Sequence, residues 1–257
     1  VTAHRRTVAT ARDIAAVATV KLGSGVNLLG YYMYCGGTNP EGKLTTLQES
    51  RETGYPNDLP VKSYDFRAPV REFGQVSDTF RELKLLSYFT RDFGTVLCSL
   101  PAQIPAENPA DPADTTHLRW SLRTDGSRGY LFVNNYVRHQ TLAEHKDVSL
   151  PLPGGETFPT LSVKSGDFFF FPFNMEFGGA KVRTARATPL CTLGEKTVFY
   201  AQDGAGARLF DFADEKSTEA ARRGFIVLSR ADALNTWRVD GGTRLILAGA
   251  ESYALTD

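Results

Sequence analysis

The sequence lacks an excess of charge of either sign: its 257 residues carry 29 Lys plus Arg against 29 Asp plus Glu. Nucleic acid and anionic membrane surfaces recruit partners through a basic excess, so both are excluded as the main partner. Cysteine is scarce. Cys35, Cys98 and Cys191 stand apart with no paired spacing, which excludes a disulfide framework and a Cys-based zinc site. His4, His117, His139 and His145 form no metal-ligand signature, and His139 and His145 lie in a polar stretch that reads as solvated surface. No metal is therefore expected. No apolar run approaches the length of a membrane span, and the start lacks the basic-then-apolar pattern of a signal peptide. Against these absences, 42% hydrophobic and 23% charged residues place the chain with folded proteins rather than disordered ones.

The first third reads as α/β. Thr10 to Leu22 is Ala-rich, with Ala11, Ile14, Ala15, Ala18 and Leu22 on one face, and Gly23 and Gly25 end the predicted helix. Val26 to Tyr34 (VNLLGYYMY) is nearly continuously apolar, the pattern of a strand buried on both faces of a parallel sheet. It runs into the turn cluster Gly36-Gly37-Thr38-Asn39-Pro40. A long polar loop then leads to a second helix, Asp78 to Phe93, capped by Ser77 or Asp78 and ended by Gly94. Phe80, Leu83, Leu86 and Phe89 form its inward face.

From about residue 95 the pattern changes. Prolines at 101, 105, 109 and 112 mark a linker or exposed loop over 95–115. Short strand patterns follow, separated by turns about every 8–12 residues, the rhythm of an antiparallel β-sandwich over 116–212. Asp125-Gly126-Ser127-Arg128-Gly129 between two such runs predicts a hairpin. Residues 213–257 continue in the same style. Phe168 to Phe171 cannot all face one side, because alternate strand residues point to opposite faces. That predicts a strand covered on both sides, with an aromatic sugar-binding platform as the alternative.

Ligand sites of α/β proteins form at the carboxyl ends of strands, which draws attention to the loop after Tyr34. Gly36 and Gly37 permit close backbone approach, and Thr38 and Asn39 add short hydrogen-bonding groups. Tyr31, Tyr32, Tyr34, Tyr55, Tyr64 and Phe66 make the neighbourhood aromatic. Flat rings beside hydrogen-bonding groups suit sugars; a tyrosine core with a simple turn is the plainer reading.

Two segments sharpen this. Asn27 to Asn39 (NLLGYYMYCGGTN) and Ser63 to Gly74 (SYDFRAPVREFG) resemble, in order and spacing, two motifs of glycoside hydrolase family 35, the β-galactosidases. Downstream, RGYLFVNNYVRHQ (128–140) and FFFPFNMEFGG (169–179) are similar to the β-rich regions of those enzymes. The resemblance implies a multidomain α/β plus all-β protein: residues 1–94 as the terminal portion of a (β/α)8 TIM barrel, followed by antiparallel β-sandwich domains. It implies retaining hydrolysis of terminal β-linked galactose without a cofactor, through two glutamates on the fourth and seventh barrel strands. Residues 26–34 resemble the eighth strand, so both glutamates are expected before residue 1. Val1 in place of an initiator Met fits a piece of a longer protein.

Tyr64 and Phe66 hold the two aromatic positions that border the galactose pocket in the family, and Tyr34, Gly36, Gly37, Thr38 and Asn39 form the adjoining pocket loop. Three departures bear on the sugar: Phe66 stands where relatives carry Tyr, Arg67 where they carry Asp, and Cys35 where they carry His. Glu41, Glu49, Glu52, Asp58, Asp65 and Glu72 match none of the catalytic motifs, and Asp65 is expected to order the loop. Cys35 lacks a visible activating base and is expected to pack. The expected partner is a β-galactoside or related carbohydrate. The alternative is a non-catalytic carbohydrate-binding or structural β module.

Overall fold

The computed structural model describes residues 8–40, 43, 63–202 and 208–248. Its contacts divide the chain into two units, Val1–Ala15 with Gly30–Leu83, and Ala16–Leu29 with Lys84–Asp257. The first helix, α1 (Ala11–Gly23), begins at a reciprocal cap. The Asp13 carboxylate accepts from the Thr10 backbone N–H at 2.6 Å, and the Thr10 hydroxyl accepts from the Asp13 N–H at 3.2 Å. It ends at Gly25, whose φ of 99° suits glycine and whose N–H reaches the Leu22 carbonyl.

The strand expected over 26–34 is absent. Val26 to Tyr34 is irregular, with Leu28 92% and Tyr32 82% exposed. An apolar run becomes a strand only where a neighbour completes its ladder, and among the described residues no strand pairs with residues 26–33. Here the chain makes isolated bridges instead, Cys35 to Val70 and Thr38 to Ser63. No closed barrel forms among the described residues.

The second helix, α2 (Asp78–Cys98), runs past Gly94, where the sequence predicted its end. Leu83, Leu86 and Phe89 are buried as their spacing predicted, and Phe80 is half-buried. One glycine costs a helix interior about 1 kcal/mol. Burying Leu97 and the aromatic packing of Phe93 on Phe177 outweigh it.

The second unit is mostly β. Its main sheet has six antiparallel strands: β1 (Ala102–Gln103), β2 (Arg119–Thr124), β3 (Gly129–Asn134), β6 (Phe168–Phe177), β7 (Ala180–Ala185) and β10 (Phe210–Phe212), in the order β1-β2-β3-β6-β7-β10. The hairpin expected around Asp125–Gly129 joins β2 to β3. Residues 101–118 run along the sheet edge. There the Asn108 amide pairs with the Trp120 backbone both ways, accepting from its N–H at 3.1 Å and donating to its carbonyl at 2.6 Å. β4 (His145–Val148) and β5 (Leu161–Val163) form a separate antiparallel pair.

The four consecutive phenylalanines are covered on both sides. Phe169, Phe171 and Phe173 pack with Trp120, Leu122, Leu131 and Val133 against Leu150, Leu152, Phe158, Leu161 and Val163, a β-on-β core of sandwich type. On the opposite face, Phe170 meets Phe89 of α2 with ring centroids 4.5 Å apart and stacks on Phe132. All four rings are buried, so they offer no exposed sugar platform. α1 also lies against this face, because a methyl at Gly23 would meet the Phe132 ring and the Ser121 hydroxyl within 3 Å.

A second core joins Leu85 to Leu190, Cys191, Val198, Tyr200 and Ala233. It is built on β8 (Ala187–Leu193), β9 (Lys196–Ala201) and β11 (Phe225–Ser229), with β11 parallel to β9. Parallel pairing requires a crossover, and α3 (Glu215–Gly224) lies within it. α4 (Arg230–Leu234) and the hairpin β12 (Thr236–Val239)–β13 (Arg244–Leu247) complete the described chain.

Candidate functional site

The two resembling segments meet in the first unit. Gly36 N–H donates to the Val70 carbonyl at 2.8 Å, and Val70 N–H returns to the Tyr34 carbonyl at 3.0 Å. Gly37 and Tyr64 exchange backbone bonds of 3.2 and 2.7 Å. A short two-segment ladder thus ties Tyr34–Thr38 to Ser63–Val70. Gly36 is required for it: a methyl there would collide with the Asp65 carboxylate and lie 2.9 Å from the Glu72 nitrogen. At Gly37 a methyl would meet nothing within 4 Å among the described residues.

Asp65 orders this loop, as expected. Its carboxylate accepts from Arg71 at 2.7 Å and from the Glu72 backbone N–H at 3.0 Å, and its carbonyl accepts from the Ala68 N–H. The Glu72 carboxylate is engaged as well, accepting from the Thr38 hydroxyl. Phe66 and Arg67, between these anchors, hold φ of 47° and 58°. Two successive side chains in the left-handed region cost on the order of 1–3 kcal/mol each, so the loop is held against its own preference. Ser77 ties its far end to α2, donating from its hydroxyl to the Pro69 carbonyl at 3.0 Å.

The result is an aromatic cluster. Tyr64 and Phe66 pack edge to face at 4.4 Å, and Tyr32 lies 6.4 Å from Phe66. The Tyr32 and Tyr64 hydroxyls share a bond of 2.6 Å. Tyr34 sits between Tyr31 and Phe80 at 5.7 and 6.2 Å. Burial, then the neighbouring Tyr34, pushes the Tyr31 phenol up to about 12, and burial raises Tyr34 too, so both stay neutral near pH 7. Tyr32 is 82% and Phe66 37% exposed, which leaves ring surface open to a ligand.

Of the expected pocket residues, Tyr34, Gly36, Gly37 and Thr38 share the ladder, and Tyr64 and Phe66 share the cluster; Asn39 follows directly. Tyr32, Arg71 and Glu72 were missed as partners, because their bonds span six to 34 residues and leave no local spacing to read. Cys35, expected to pack, is exposed. Tyr55, Glu41, Glu49, Glu52 and Asp58 lie outside the described residues. The described carboxylates here serve loop bonds. The cluster can present aromatic faces and phenolic hydroxyls to a ligand, while none of its described groups forms a nucleophile–base pair.

No family model matches the chain. The chain is similar to "Probable beta-galactosidase C" of Aspergillus niger, 24% identical over 208 residues. The alignment covers 77% of this chain and 19% of that protein, so the chain spans about a fifth of its relative's length. The likeness is a distant relation to a glycoside hydrolase.

Proposed function

We propose that this chain is part of a retaining exo-β-galactosidase of the glycoside hydrolase family 35 type, and that Tyr34–Asn39, Tyr64 and Phe66 border its galactose pocket. The observation that carries the reading is the bonded ladder between Tyr34–Thr38 and Ser63–Val70, which brings together two segments that separately resemble that family. The distant likeness to a fungal β-galactosidase over most of the chain supports it. In this reading residues 1–94 are the closing portion of the catalytic barrel, and the two glutamates lie before residue 1.

Retention requires two carboxyl groups about 5–5.5 Å apart, one as acid/base and one as nucleophile, with a covalent glycosyl-enzyme between two displacement steps. The residues of this chain bind and orient the sugar. A pyranose has an apolar C–H face and a rim of hydroxyls; Phe66 and Tyr32 offer rings to the first, and the Tyr64 hydroxyl a partner to the second. Phe66 lacks the hydroxyl that the family's Tyr would bring, a difference of about 1 kcal/mol for one hydrogen bond.

The test is an aryl β-galactoside assay on the 257-residue chain and on the natural full-length protein. Turnover by the full-length protein alone is expected. Robust turnover by the 257 residues overturns the placement of the glutamates. Saturable galactoside binding without turnover by the full-length protein favours the alternative, a non-catalytic carbohydrate-binding module.

A further inference from the structure

The chain as a whole carries no net charge, yet three cations and one carboxylate line a single hollow of about 320 Å³ in the second unit. The cations are Arg128, Lys181 and Arg183, and the carboxylate is Glu176. Strand pairing brings them together. Glu176 lies opposite Lys181 across β6 and β7, and Arg183 follows two residues on, about 7 Å along the same face of β7. Arg128 enters from the β2–β3 hairpin, to which Asn174 is tied by donating to the Ser127 carbonyl at 3.0 Å. Like charges gathered this closely repel one another and oppose folding.

The neighbouring carboxylates do not cancel the excess. Asp125 bonds Arg128 at 3.2 Å, and the Arg128 side chain stays half-exposed. Asp214, on which Lys181 acts through space, is engaged as the cap of α3 and accepts from the Ser217 N–H at 2.7 Å. Glu156 accepts from Asn174 at 3.4 Å. Arg183 is held by a bond to the Ala213 carbonyl at 3.2 Å, a neutral acceptor that leaves its charge uncompensated.

This arrangement selects an acid that also carries hydrogen-bond donors. A ligand carboxylate can accept from the Arg183 guanidinium and the Lys181 ammonium together. Glu176 repels a bare inorganic anion but accepts from a hydroxyl. A run of acidic side chains would bring a further carboxylate against Glu176 at each residue. A uronic acid carries one carboxylate and several hydroxyls on the same ring. Cavities of roughly 150 Å³ take up one six-membered ring, so this hollow has room for about two.

We propose that this hollow binds an acidic glycan, a uronate-containing saccharide whose carboxylate sits between Lys181 and Arg183 and whose hydroxyls donate to Glu176. It lies wholly within residues of the second unit and does not rest on the galactosidase reading. The site is assigned binding alone.

The experiment is a calorimetric titration of the 257-residue chain, at low ionic strength, with trigalacturonate, the neutral trisaccharide maltotriose, a hexaglutamate peptide and sodium sulfate. Saturable binding of trigalacturonate is expected, about tenfold or more tighter than each of the others, and weakened about tenfold at roughly 0.5 M sodium chloride. Lys181→Gln and Arg183→Gln alter exposed side chains, so the fold tolerates them. Each should weaken trigalacturonate binding about three- to tenfold. Lys181→Arg should retain it, and so should Lys21→Gln on α1, which does not line the hollow. The proposal is overturned if trigalacturonate does not bind saturably, or if maltotriose, hexaglutamate or sulfate binds as tightly. It is equally overturned if Lys181→Gln and Arg183→Gln weaken binding no more than Lys21→Gln does.

Discussion

Replacing Arg123 with methionine removes a guanidinium that is 1% exposed and whose four hydrogen-bond acceptors are all uncharged. It donates to the Leu22 carbonyl at the end of α1, the Leu97 and Leu100 carbonyls at the end of α2, and the Asn27 side-chain oxygen, at 2.7–2.8 Å. The last carbonyls of a helix lack partners within it and carry the negative end of its dipole, so one cation caps two helices at once. Burial pulls the Arg123 pKa below its ordinary value, yet the group stays charged at every working pH. Methionine keeps the aliphatic stem, leaves the Leu100 carbonyl and the Asn27 oxygen without this donor at about 1–3 kcal/mol each, and removes a second bond from the Leu22 and Leu97 carbonyls, which keep the Gly25 and Leu100 N–H. Against that, the guanidinium's own desolvation, several kcal/mol, is no longer incurred. The net loss is about 2–4 kcal/mol, a fall in Tm of about 5–15 °C for a chain of this size. Urea unfolding of the 257-residue chain, followed by circular dichroism, measures it through the midpoint at constant m. Arg123→Lys separates charge from geometry: an ammonium cannot span four divergent acceptors, so lysine should stay at least about 1 kcal/mol below arginine. A methionine variant within about 0.5 kcal/mol of the unaltered chain, or more stable than it, would refute the capping argument.

Gly36→Ala should cost about 1–3 kcal/mol in thermal melts, because the new methyl meets the Asp65 carboxylate and the Glu72 nitrogen, whereas Gly37→Ala should change the melt little. Asp92 bonds Arg238 at 2.9 Å and the Thr192 N–H at 2.7 Å; burial alone would raise its pKa, but these bonds outweigh burial and hold it below its ordinary 3.8. A depressed folded pKa means that the stability is present above the unfolded value and lost as pH falls through the folded one. Stability measured from pH 7 to pH 2 should therefore fall more steeply below pH 4 in the unaltered chain than in Asp92→Asn; parallel curves would contradict the assignment. Burial pushes the Cys191 thiol up to about 11, while Cys35 and Cys98 are exposed. A disulfide reagent at pH 8 should label two thiols in the folded chain and the third only on unfolding; rapid labelling of all three would show that the second core is not closed.

What the sequence made legible follows from how local each signal is. α1 was readable because its alanine spacing and its stop at Gly23 and Gly25 lie within a few residues of one another. The β2–β3 hairpin was readable from its turn, and the coverage of Phe168–Phe171 from the alternation of a strand. Val26–Tyr34 was misread because apolar content says nothing about which neighbour completes a ladder. β8 carries a weak local signal, since Pro189 argues against a strand, and the chain accommodates it with a register shift between Pro189 and Cys191. α3 carried a cap that went unread, Asp214 accepting from the Ser217 N–H at 2.7 Å, because its sequence (EKSTEAARRG) is too polar to show an inward face. At the candidate site, Gly36 and Asp65 were legible individually. Their steric dependence on one another was not, because it arises only where residues 36 and 65 come together.

The measurement that bears most directly on the central claim is the anomeric course of the reaction. The natural full-length protein is mixed with 4-nitrophenyl β-galactoside, and the released sugar is followed by proton NMR before mutarotation. A retaining galactosidase releases β-galactose first, with the α anomer growing in only later. Release of α-galactose first, or no turnover of the β-galactoside by the full-length protein, would contradict the account.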